Sequence, residues 1–290
     1  MPTLRDIKRR IRAVNNTRQI TKAMKMVSAA KLRKAQTRML EMRPYADKMG
    51  AVLTNLARGA ESGLHPLLVA RPRKIVEVVV ITSDRGLCGA FNSNILKAAA
   101  RHITHVRQEG FEVSISAIGK KAVDYFKRRN IALRGTWTGL SGRIAYSNAQ
   151  EVASDIIDNY VSETIDEVVL IYNEFKSVIS HHVTLAKLLP LADAGGPEGR
   201  SDEPTRDFLY EPSQEEVFMV LLPKNVEIQI FRALLESQAA EEAARMTAME
   251  NATKNANEMI DRLTLQYNKA RQAAITKELM DIVGGVEALK

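Results

Sequence analysis

At 290 residues, with a formal charge of +8, 45% hydrophobic residues and one cysteine, the chain is long enough to bury a sizeable core and excludes an internal disulfide framework. Its longest apolar runs fall short of the roughly 18 residues needed to span a bilayer, and the charged N-terminus lacks the apolar core of a signal peptide. The expectation is a soluble protein of a reducing, intracellular compartment.

Eight of nine prolines and thirteen of fifteen glycines lie between Pro44 and Pro223. Both ends are therefore uninterrupted helix formers around a conventional middle, which predicts a globular domain inserted between two long helices. The divisions expected are 1–57, an N-terminal coiled-coil helix; 58–191, an α/β domain; 192–213, a connecting loop; and 214–290, a C-terminal coiled-coil helix.

Taken in order, residues 3–43 contain neither Pro nor Gly, and Thr3 is placed to cap a helix with the apolar stripe Leu4, Ile7, Ile11 and Val14. The stripe is read onward through Ile20, Met24 and Val27 to Leu32, Ala35, Met39 and Met42, drifting around the helix as it goes. Pro44 removes a backbone hydrogen bond, yet the period resumes and carries the helix to about Ala57. Residues 1–43 hold 13 Lys and Arg against 2 acids, so pairing along the helix is nearly unavailable. Such a helix seeks an acidic surface: nucleic acid, anionic lipid, or carboxylates on a protein partner.

The segment Lys74–Thr82 is a β-branched run that reads as a buried strand of a parallel sheet. Helices are expected over Asn94–Arg107, Lys120–Arg129 and Ser147–Glu163, with strands at Phe111–Ile118, Glu167–Phe175 and Val183–Leu189. This alternation gives an α/β sheet with helices on its faces. The Gly- and Pro-rich stretch 192–213 is a surface connection, and the second long helix begins near Glu215. From Lys224 to Lys290 there are 67 residues without a proline. Met246, Met249, Thr253, Ala256, Ile260, Leu263, Tyr267, Ala270 and Ala274 alternate there in steps of three and four, the seam of a left-handed coiled coil. Ala and Thr make that seam thin.

No motif spells an enzyme. The turn Asp84–Asn92 lies between a strand and a helix, where α/β folds often take phosphate, but Gly86 and Gly89 give only GxxG and no GxxxxGK[ST] exists. Cys88 has no histidine near it in sequence and reads as a small buried hydrophobe. His102, His105, His181 and His182 lack acidic companions at metal-ligand spacing, so no catalytic residue, metal or cofactor is expected.

Three segments in order carry a resemblance: Asn16–Ala35, Ser83–Gly89, and Ala244–Met249 with Tyr267–Leu279. They closely resemble the γ subunit of F-type ATP synthases, over essentially the whole chain. The resemblance implies a Rossmann-like α/β domain inserted between terminal helices that pair as an antiparallel coiled coil. It further implies a non-catalytic rotor shaft inside a ring of three α and three β subunits, adjoining the ε subunit and the membrane c-ring. On this footing Met24 and Lys25 lie beside an acidic lever of β, with Arg245 on the opposing helix. Arg271, Gln272, Thr276 and Glu278 match a polar cluster that meets β higher in the ring, and Arg85 a further β contact. Tyr210 and Glu211 match the foot on the rotor ring. Without a chloroplast-type cysteine insertion or a transit peptide, the expected place is the cytoplasmic face of a bacterial inner membrane.

The competing class is nucleic-acid binding by the basic helix, which electrostatics alone would allow. It calls for stacking aromatics, and residues 1–43 contain no Phe, Trp or Tyr.

Overall fold

A computed structural model describes residues 3–59, 65–140, 142, 144–178, 180–191 and 214–287. By packing the chain separates into two units, one of Met1–Ser28 with Met246–Lys290 and one of Ala29–Arg245.

Two long helices pass through both units, α1 (Leu4–Gly59) and α5 (Gln214–Glu287), and each contains its proline, Pro44 or Pro223, without ending there. Thr3 caps α1: its hydroxyl accepts from the Asp6 amide at 3.3 Å, while the Asp6 carboxylate accepts from the Thr3 amide at 3.3 Å, a reciprocal box.

In the first unit α1 and α5 run antiparallel. Arg18 reaches Asn257 at 3.3 Å, the Thr21 and Thr253 hydroxyls meet at 2.8 Å, and Lys25 bonds Glu250 at 2.5 Å, so positions rise on one helix as they fall on the other. Every seam residue expected on α5, from Met246 to Ala274, is buried or half-buried, and from Ala256 onward its neighbours on either side are exposed. On α1 the expected drift is corrected. Ile20 is 60% and Val27 55% exposed, whereas Thr21 and Ser28 are buried at 8% and 2%. Strict alternation of three and four from Leu4 leads through Arg18, Thr21, Lys25 and Ser28 to Leu32, and the partner helix enforces that register even where it selects polar side chains.

The second unit is built on a five-stranded sheet. Its strands are β1 (Ile75–Ile81), β2 (Glu112–Ile118), β3 (Thr136–Trp137), β4 (Glu167–Phe175) and β5 (His181–Leu189), in the order β3-β2-β1-β4-β5. The central β1 pairs in parallel with β2 and β4, placing Val78 opposite Ile115 and Val169. β5 closes one edge antiparallel to β4. The two-residue β3 escapes sequence reading, because two residues carry no period. Helices α2 (Phe91–Gln108), α3 (Lys120–Lys127) and α4 (Tyr146–Val161) connect the strands, each burying one apolar face. Gly119 joins β2 to α3 at φ 95°, and a Cβ there would lie 2.1 Å from the Thr82 carbonyl oxygen, so only glycine fits.

The stretch 225–245 of α5 is buried on nearly all sides, including Val226, Ile228, Ile230, Leu234, Leu235 and Ala239. The stretch serves as a core element although it also carries charge: Glu236, Glu241, Glu242 and Arg245 are buried along with the apolar residues. Among the described residues no helix is long and apolar enough to cross a membrane.

Candidate subunit-contact residues

The loop after β1 spends its polar groups on itself. The Ser83 hydroxyl donates to the Arg85 carbonyl at 2.6 Å, and the Asn92 carboxamide folds back to Ser83 at 2.8 Å. Asp84 accepts from the Lys120 amide at 2.9 Å and Thr82 from the Ala122 amide at 2.9 Å, so side chains of this loop satisfy the N-terminus of α3. Cys88 is buried, and burial pushes its thiol up from the ordinary value. What projects outward is Arg85 together with Leu87, which is 64% exposed at φ 65°. Sequence reading did not single out Leu87; its signal is an apolar side chain in a turn too tight to bury it.

Open α/β sheets take ligands at the carboxyl ends of their strands. Here that crevice is filled by α5, leaving a cavity of about 20 Å³ between Ile81, Asp84, Ile118, Leu234 and Glu241. Just beyond, Arg245 is 9% exposed and bridges Glu241 at 2.5 Å and Glu242 at 3.1 Å. Burial raises the Glu241 carboxyl above its usual range, and Arg245 pulls it only part of the way back. The guanidinium is desolvated, but the two carboxylates more than offset that and hold it charged. Arg245 is thus a buried, paired cation rather than a freely presented one. Among the described residues no group of three His, Cys, Asp or Glu is placed to hold a metal.

The remaining expected contacts lie on the helices of the first unit. Met24 is half-buried beside Lys25, whose ammonium is taken by Glu250. Arg271, Gln272, Thr276 and Glu278 are all exposed, and the Thr276 hydroxyl bonds only its own helix, at the Gln272 carbonyl, 3.0 Å away. At about 100° per residue, Arg271 and Glu278 form one ridge and Gln272 and Thr276 another. Between the ridges run Ile275, Leu279 and Ile282, exposed by 50%, 58% and 64%. This apolar stripe lies about a third of a turn from the buried seam, so the seam's period does not reveal it. Tyr210 and Glu211 fall outside the described residues.

The basic first helix is partly answered within the chain. Besides the Lys25 pair, Lys31 lies 3.9 Å from Glu242 and Arg43 3.9 Å from Glu236. Arg5, Lys8, Arg12, Lys22, Arg33 and Lys34 are exposed and make no ion pair among the described residues.

Two terminal helices paired antiparallel, with an α/β domain inserted between them in the chain and its ligand crevice filled by one of them, define the class of protein by its architecture. A family model described as ATP synthase matches residues 3–289. The ATP synthase gamma chain of Trichlorobacter lovleyi is 49% identical over 292 residues, covering 100% of both chains. That of Anaeromyxobacter sp. strain K is 51% identical over 294 residues, again covering 100% of both. Among solved structures, a chain from the central stalk and c-ring of the Tetrahymena thermophila mitochondrial ATP synthase matches with TM-score 0.60 at 28% identity, over 80% of this chain and 99% of that one. A chain of the Euglena gracilis mitochondrial ATP synthase has the same fold, with TM-score 0.67 at 22% identity over 99% and 94%. The chain belongs to the ATP synthase gamma-chain family, whose members are central-stalk rotor subunits of F-type ATP synthases.

Proposed function

We propose that this chain works as a rotor without chemistry of its own, passing rotation of a proton-driven membrane c-ring to the catalytic β subunits of an α3β3 ring, with an ε subunit as a further partner. The observation that carries the reading is the outward charge of α1. Arg5, Lys8, Arg12, Lys22, Arg33 and Lys34 remain exposed and unpaired among the described residues after the chain's own acids are used. Exposed pairs at an effective dielectric near that of water contribute only about 0–1 kcal/mol each. They tolerate poor geometry, which suits a contact broken and remade at every turn.

One asymmetric rotor inside three chemically identical β subunits biases their conformations only through different contacts with each. Met24, Lys25, Arg85, Arg245, Arg271, Gln272, Thr276 and Glu278 are the contacts assigned to β. Arg245 acts there through the acids it organises, since its own charge is neutralised by Glu241 and Glu242. Tyr210 and Glu211 are assigned to the c-ring. The place proposed is peripheral, on the cytoplasmic face of a bacterial inner membrane, held through the c-ring. The nucleic-acid alternative rests on charge alone.

The test is reconstitution with α and β subunits. The complex should hydrolyse ATP and turn a bead fixed to this chain, with a rotation rate sensitive to ionic strength. Hydrolysis without rotation of the chain would remove the rotor reading.

A further inference from the structure

Within the second unit, one buried carboxylate joins three elements. Glu236 on α5 is fully buried, at 0% exposure. Its Oε1 lies 3.1 Å from Arg232 Nε on the same helix and 3.9 Å from Arg43 Nη2 on α1. The Arg43 guanidinium also donates to the Phe175 carbonyl, at 3.5 Å, where β4 ends. On β4 the Tyr172 phenol is pushed up to about 12, first by burial and next by the charge of Glu236. Arg43 stands immediately before Pro44, at the turn where α1 lacks a backbone hydrogen bond. The helix is thus weakest as a beam beside the residue that ties it sideways to its neighbours. A second tie acts on α5 lower down, where the Tyr146 hydroxyl donates to Glu227 and its ring packs edge-on against Phe231 at 5.4 Å.

We propose that Arg43, Glu236 and Arg232 form a clamp that makes α1, α5 and the sheet turn as one body, so that torque applied to the α/β domain enters both long helices together. These are positioning residues for rotary coupling, and the inference rests on the rotor reading above. Arg232 holds the buried carboxylate in place on α5, and Arg43 ties it to α1, so sliding of α1 past α5 strips the buried charge of one of its two partners and is resisted.

The experiment uses the complex reconstituted with α and β subunits, immobilised by the ring, with a bead on the α/β domain through Lys127→Cys. The angular variance of the bead is read during the catalytic pause, along with the ATPase rate of the same preparation. Glu236→Gln and Arg43→Lys should each raise the variance about twofold at an unchanged ATPase rate, while the exposed Glu151→Gln should leave it as in the parent. A residue needed only for folding would lower the number of assembled complexes without moving the variance of those observed, so unchanged variance in both variants overturns the clamp. A second arm uses the isolated chain: melting of Arg43→Met, Glu236→Gln and the double variant should be non-additive, and additivity overturns the clamp even if complexes assemble poorly. Failure of the unsubstituted chain to rotate would instead overturn the rotor reading.

Discussion

Single side chains in this chain report on local physics that can be measured one at a time. Thr3 satisfies an amide that the first turn of α1 cannot pair. Thr3→Ala should therefore cost about 1 kcal/mol of local helix stability, seen as faster hydrogen exchange over the first turn with little change further along α1. Tyr172 tests burial on the sheet. Its proton is held more tightly in the folded chain than in the unfolded one, where the ordinary value is 10.0 and the folded value about 12. The stability tied to that proton is therefore complete below the ordinary value and is lost as pH rises through about 12. An alkaline absorbance titration should show a late phenolate component that Tyr172→Phe removes; a Tyr172 that titrates near 10 would place it in water.

At the scale of elements, the pairing of α1 with α5 is narrower than its length suggests. Met249 and Ala256 are buried, at 5% and 7%, but Ile260, Leu263 and Tyr267 are only half-buried. Full burial of Ile260 and Leu263 would make truncation cost about 2–5 kcal/mol each. With half the side chain left in water, about 1–2 kcal/mol each is expected. Met249→Ala should reach the larger range, and denaturant unfolding of the three variants would rank them. The polar stretch of the seam, Arg18 to Ser28, gives up stability for register: hydroxyl and charge-assisted bonds at Thr21–Thr253 and Lys25–Glu250 hold one alignment where an apolar seam would slip. The same α5 is a thin seam in one unit and an all-round core element in the other, so its two halves should respond differently to mutation.

For the whole molecule, the filled crevice and the exposed cationic face lead to functional outcomes. The isolated chain should hydrolyse no ATP, and turnover that disappeared on mutating the Asp84–Asn92 loop would defeat that expectation. Met24→Lys adds a cation to an already basic face beside a half-buried position, strengthening one rotational contact by on the order of 1 kcal/mol. It should lower proton pumping per ATP hydrolysed in membranes with normal complex content. Ile260→Ala combined with Leu263→Ala should weaken torque transmission, whereas deletion of 286–290, beyond the last seam residue, should leave rotation-coupled synthesis largely intact. The reverse pattern would mean that torque is carried at the tip of α5 rather than along the paired helices.

The sequence by itself determined the elements that depend on local chemistry. Long stretches free of Pro and Gly had to be helix, the β-branched run Lys74–Thr82 had to be a buried strand, and alternation of strands and helices had to give an α/β sheet. The family was also legible, since its motifs are contiguous. Tertiary structure alone decided what depends on neighbours distant in the chain. It set the α1 seam through Arg18, Thr21, Lys25 and Ser28 instead of Ile20 and Val27, because a partner helix fixes phase by geometry and not by hydrophobicity. It made a strand of Thr136–Trp137, which has no period of its own and exists only as the edge that β2 offers. It turned β5 antiparallel and left an apolar stripe at Ile275 and Leu279 facing out. It also buried Glu236 and Arg245; a charge goes inside only where a counter-charge from another turn or element meets it, and that meeting is written in no local pattern.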